Sequence, residues 1–142
     1  MASAVRPLDE LVGGDPLTEL DAAWTAAWQA TDTKLLRLCT RRMAMLLGHE
    51  PTLDELGADD LAALAHWTEH PCFGELQKAA LELTEQYLID VASATDEQVA
   101  RLAAELEAAD AGSVIDFVTA LLVVEQRMRL ELGLSAVLGA TS

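Results

Sequence analysis

A chain of 142 residues is long enough for one domain that buries a core without help from metal or disulfide. Hydrophobic residues make up 51 % of it and aromatic residues only 4 %, and Ala, Leu and Glu outnumber Val, Ile and Thr, which favours helices over sheets and predicts an all-α fold. Nine Lys and Arg against 24 Asp and Glu leave a formal charge of -15, a field that repels nucleic acid and anionic membrane surfaces.

The segment MASAVRPLDELVGG has no helical periodicity and ends in Gly13-Gly14, so residues 1–14 are expected to form an N-terminal arm to a single domain spanning 15–142. It also lacks a basic lead into an apolar signal core, and no window approaches the roughly 18 apolar residues of a spanning helix. A soluble, cytoplasmic protein is expected. Asp15-Pro16 then has the form of a helix start, with Asp as N-cap and Pro at the first helical position. This first helix carries Trp24 and Trp28, four apart on one face, which fits packing against another helix.

Thr31-Asp32-Thr33 opens a second helix whose apolar face carries Leu35, Leu36, Cys39, Met43, Leu46 and Leu47, and Gly48 stops it. Its other side holds Lys34, Arg37, Arg41 and Arg42, four of the nine basic residues. They either pair with surplus carboxylates in solvent or supply a cation to a pocket. Thr52 and Glu55 have capping-box spacing, and Ala58 to His70 reads as a short helix closed by Pro71. From Glu75 to about Ala94 a further helix aligns Leu81, Thr84, Leu88 and Val91, and Thr95-Asp96-Glu97-Gln98 is a capping box for the next, which fades near Ala109-Asp110.

The last helix, about 113–132, has apolar residues on more than one face, as befits the centre of a core or a subunit interface, and the tail from Gly133 is weakly specified. Glu125 lies among Val114, Val118, Leu121, Met128 and Leu132, so it is either paired, with Arg129 or Arg127, or functional. Six helices joined by short acidic turns result.

The block FGELQKAALELTEQYLIDVASATDEQVARLAAELEAADAGSVIDFVTALLVVEQRMRLEL resembles the C-terminal half of the AhpD-like/carboxymuconolactone decarboxylase superfamily in the order of its segments. Upstream, RLCTRRMAMLLGH is similar to that family's helix running into a glycine before the reactive site. The resemblance covers about residues 34–132. It implies an AhpD-like helical subunit, assembly into a trimer or hexamer, and a site near Gly48 at a subunit boundary. Peroxidase members use a glutamate, a C-x-x-C pair and a histidine. The alignment puts the two cysteines on His49 and Thr52, the glutamate on Arg37 and the histidine on Leu56. Without a thiolate at 49 or 52, peroxidase chemistry is not expected. The decarboxylase branch lacks the cysteines, and there the acidic residue after the glycine corresponds to Glu50, while its histidine has no counterpart before His66.

Read without the family, His49-Glu50 joins an imidazole to a carboxylate at a helix end, an arrangement that serves either acid/base chemistry or the helix dipole and its free carbonyls. His66 and His70 have i,i+4 spacing, but Pro71 ends the helix and no third ligand is identifiable, so neither a metal nor another cofactor is expected. Cys39 reads as a core residue and Cys72 as an exposed one among acids; neither belongs to a C-x-x-C pair. Tyr87 and Glu85 either reach a pocket or pack.

Two functions follow. In the first the chain is a cofactor-independent small-molecule enzyme, a decarboxylase, isomerase or hydratase, with His49 and Glu50 as acid/base residues. Arg37, Arg41, His66 and Tyr87 would bind an anionic organic substrate. In the second it is a non-catalytic oligomer that has lost the thiol site and binds a ligand or a protein. Thiol chemistry through Cys72 is a third, lesser alternative.

Overall fold

A computed structural model describes residues 5–7, 11, 12, 14–90, 92 and 94–139. Among these there are seven helices and no strand: α1 (Asp15–Ala30), α2 (Thr33–Leu47), α3 (Glu50–Leu53), α4 (Ala58–Ala65), α5 (Glu75–Asp90), α6 (Asp96–Ala108) and α7 (Val114–Gly139). The fold is all-α, as expected, with the single turn of α3 added to the six expected helices. No described helix is long and apolar enough to cross a membrane.

Helix boundaries follow local chemistry where a cap is present. The Asp32 carboxylate accepts from the Leu35 N–H at 2.8 Å and starts α2. Thr95 and Gln98 form the reciprocal capping box of α6, at 3.1 and 3.0 Å. Gly48 closes α2 in the left-handed region, φ 75°, and the His49 N–H returns to the Ala44 carbonyl at 2.8 Å.

Other expectations need correction. Gly14, not Asp15, occupies the cap position of α1, and the Asp15 side chain lies outside the described set. Gly13, most of the expected arm and Val91 also lie outside it, though the Arg6 N–H donates to the buried Ser135 hydroxyl at 2.8 Å. α4 stops at Ala65 rather than His70, because Trp67 turns inward to bond Glu85. α7 continues through Gly133 to Gly139, so this segment is a packed helix rather than a loose tail. Leu46 is exposed, off the buried face of α2. Thr52 and Glu55 do not cap α4, whose cap position is Gly57.

α7 packs along α1 and α2, α2 also packs on α5, and α5 carries α6 on its other side. The core between them is built from Leu36, Cys39 and Met43 of α2, Leu81 of α5, Leu102 and Leu106 of α6, and Phe117, Leu121 and Val124 of α7. Each of the larger side chains contributes about 1.5–3 kcal/mol by leaving water. One polar tie joins α2, α5 and the turn after α4. Glu85 on α5 accepts from Trp67 Nε1 at 2.7 Å and from Arg42 Nε and Nη2 on α2, both at 2.6 Å. Glu125 pairs with Arg129 at 2.6 Å, the first of the two fates expected for that acid.

Candidate functional site

Three short pieces of chain enclose a cleft of about 280 Å³ beside the end of α2. α1 supplies Trp24 and Trp28, α2 supplies Arg37, Thr40 and Arg41, and α3 with the turn after it supplies Thr52 and Glu55. The volume sits near the low end of the roughly 300–1,000 Å³ usual for small-molecule sites.

The two tryptophans form one tilted aromatic wall, ring centroids 5.6 Å apart at 59°. Arg127 of α7 lies over the Trp24 ring at 5.0 Å and is itself held by Asp21 at 2.9 Å, so that wall is fixed from behind. The Trp28 Nε1 donor is buried and has no hydrogen-bond partner among the described residues. Thr40 uses its hydroxyl internally, donating to the Leu36 carbonyl at 2.7 Å.

Arg37, Arg41 and Arg42 are close in sequence, yet they take different roles. Arg42 turns to Glu85, while Arg37 and Arg41 face the cleft and make no ion pair among the described residues. Among the described residues, the only carboxylate lining the cleft is that of Glu55. A planar guanidinium without a carboxylate partner presents its donors to whatever anion enters.

His49 follows Gly48, and the sharp left-handed turn there directs its ring inward, where it is only 6 % exposed. Its Nδ1 stands 2.9 Å from Thr52 Oγ1, and its Nε2 faces Glu131 Oε1 of α7 at 3.7 Å, too long for a hydrogen bond. Thr52 lines the cleft, so the imidazole lies one hydrogen bond behind the cleft wall.

Of the expected site residues, Arg37 and Arg41 are thus brought together, and His49 reaches their cleft through Thr52. Glu50 is exposed and does not line the cleft. His66 is exposed at the end of α4, and Tyr87 is half-buried on α5; neither lines the cleft. Burial pushes the Tyr87 phenol above its ordinary value, and the Glu125 carboxylate adds to that shift. Cys39 is fully enclosed, and burial pushes its thiol up to about 12 against a smaller lowering effect of the Thr84 hydroxyl. Cys72 is exposed, with its N–H donating to His70 Nδ1 at 3.3 Å. Among the described residues no three His, Cys, Asp or Glu side chains gather as metal ligands.

The sequence points to helix packing for Trp24 and Trp28, which do pack against the core as well as lining the cleft, and to a capping box for Thr52. The i,i+4 tryptophan pair and the three-residue step from His49 to Thr52 were the available signals, and both had ordinary structural readings. Comparison with protein-family models, curated proteins and solved structures found no match for the chain.

Proposed function

We propose that the chain is a cofactor-independent enzyme of the carboxymuconolactone decarboxylase-like type, and that a small planar organic anion binds in the cleft between α1, α2 and α3. The observation that supports this most strongly is the placing of Arg37 and Arg41, neither ion-paired among the described residues, beside the Trp24–Trp28 wall. Guanidinium groups grip a carboxylate by charge-assisted hydrogen bonds, and the indoles cover the face of a flat apolar body. The AhpD-like resemblance, which centres on Gly48, supports the same end of α2. The reading also takes the protein to be a cytoplasmic homo-oligomer.

Proton transfer in this reading falls to Thr52 and His49. A Glu131 carboxylate on the Nε2 side favours the tautomer with hydrogen on Nε2, leaving Nδ1 to accept from the Thr52 hydroxyl. As a substrate proton moves to Thr52 Oγ1, the hydroxyl proton passes to Nδ1, and the imidazolium that forms faces Glu131. Glu50, solvent-exposed, has no part in this step.

A second reading, a non-catalytic ligand-binding module, draws on a specific observation: the imidazole does not itself reach the cleft. His49→Ala separates the two. Wild-type protein and variant are incubated with a panel of small aromatic and unsaturated carboxylic acids and lactones, and product is followed by chromatography. Turnover lost in His49→Ala, with binding and melting temperature kept, supports the enzyme; full activity in the variant removes His49 from the reaction. Binding without turnover by the wild type supports the module.

A further inference from the structure

α7 is apolar on two opposite sides. One side, with Phe117, Leu121, Val124 and Met128, fills the core. The other side is open along its length. Positions 115, 119, 122, 126, 130, 133 and 137 are all exposed and follow one another at three- or four-residue steps, so they form a single stripe. They read Ile, Thr, Leu, Gln, Leu, Gly, Val, with no charge in a chain whose residues are 23 % charged. Ile115 is 72 % exposed and Val137 64 %. At 1.5 Å per residue the stripe is about 33 Å long.

The stripe is symmetric in sequence about Gln126. Read outward from it in either direction, the steps are four, three and four. Two helices laid antiparallel about a two-fold axis at Gln126 would therefore set Ile115 against the partner's Val137, and Leu122 against the partner's Leu130. Thr119 would meet the partner's Gly133, where a Cβ would find no heavy atom within 4 Å, so space is available for the threonine side chain. A closed two-fold contact needs a patch that matches itself in this way.

On one flank of the stripe, a mainly apolar groove between Leu20 and Ala23 of α1 and Leu122, Val123 and Leu130 of α7, with Gln126 and Arg127 at its edge, gives the facing helix a second surface to cover.

From this self-complementarity we infer that α7 is a homodimerisation helix, and that a second copy of the chain covers its outer face in antiparallel register centred on Gln126. The inference deepens the homo-oligomeric part of the proposed function and does not depend on the cleft. With a charge of -15 on each chain, association strengthens as salt screens the repulsion.

Cysteine crosslinking tests the register. Facing Cα atoms at a seam with helix axes 8–10 Å apart fall within disulfide reach. In a Cys72→Ser background, Gln126→Cys is expected to form a disulfide-linked dimer on mild oxidation, while Ile115→Cys does not link to itself, its two copies standing about 33 Å apart along the helix. Wild-type solution mass is expected at an even multiple of 15.2 kDa, falling when Leu122→Glu and Leu130→Glu are combined without loss of helical circular dichroism. A mass of one or three chains, or equal self-linking at 115 and 126, overturns the inference. An oligomer untouched by the double substitution also overturns it, yet leaves the homo-oligomeric reading standing.

Discussion

Replacing Glu85 by Ala should destabilise the fold far more than an ordinary half-buried acid would. Its Oε1 is the acceptor for Trp67 Nε1 at 2.7 Å and for two Arg42 nitrogens at 2.6 Å, and it joins α2, α5 and the turn after α4. Without it the Trp67 N–H loses its partner beneath a buried ring, which costs about 1–3 kcal/mol. Arg42 loses a charge-assisted contact, ordinarily about 1.5–3 kcal/mol, discounted here because the side chains of Arg42 and Glu85 keep 15 % and 25 % of their exposure and water reaches them. The sum is about 2–4 kcal/mol. Glu85→Gln keeps an oxygen acceptor for the indole and loses only the charge, at roughly half that cost. Urea unfolding followed by circular dichroism reads both, and at about 3 °C per kcal/mol for a chain of this size the Ala variant should melt about 6–12 °C lower. A loss under about 0.5 kcal/mol, or a Gln variant as damaged as the Ala variant, would refute the tie.

Cys39 predicts a particular alkaline behaviour. Its folded thiol is raised to about 12 from an ordinary value of 9.0, so the unfolded chain releases the proton first. The associated stability is complete below pH 9 and is lost as pH climbs from 9 towards 12, at up to about 1.4 kcal/mol per pH unit. The raised Tyr87 phenol acts in the same direction. Cys39→Val should flatten the fall in urea midpoint over that range, and an identical profile would remove the thiol as its source.

How far the sequence reveals this structure depends on the distance over which each feature is decided. Asp32, Gly48 and Thr95 act within one helical turn, and each helix end they mark lies where local chemistry puts it. Cys39 could be placed in the core because its neighbours on α2 repeat at helical spacing. The end of α4 could not, since Trp67 leaves the helix only to meet an acid on α5. The tail from Gly133 reads as weakly specified, but in α7 neighbouring packing outweighs the modest cost of a glycine within a helix.

The candidate site divides along the same line. Arg37 and Arg41 were readable as cations on one helix face, while the pairing of Arg42 with Glu85 needs the fold. His49 was readable as an imidazole at a helix end. Its burial was not, because the turn at Gly48 and the approach of Glu131 from the far end of the chain decide it together. The same turn separates His49 from Glu50, which adjacency in sequence had suggested would work as a pair.

Calorimetric titration with benzoate, using neutral benzamide as the isosteric control, tests anion binding in the cleft. One saturable benzoate site per chain is expected, with no comparable benzamide binding and an at least tenfold weaker site when Arg37 and Arg41 are both replaced by Ala, corresponding to about 1.4 kcal/mol. Equal affinity for benzamide, or benzoate binding that survives the double replacement unchanged, would contradict it.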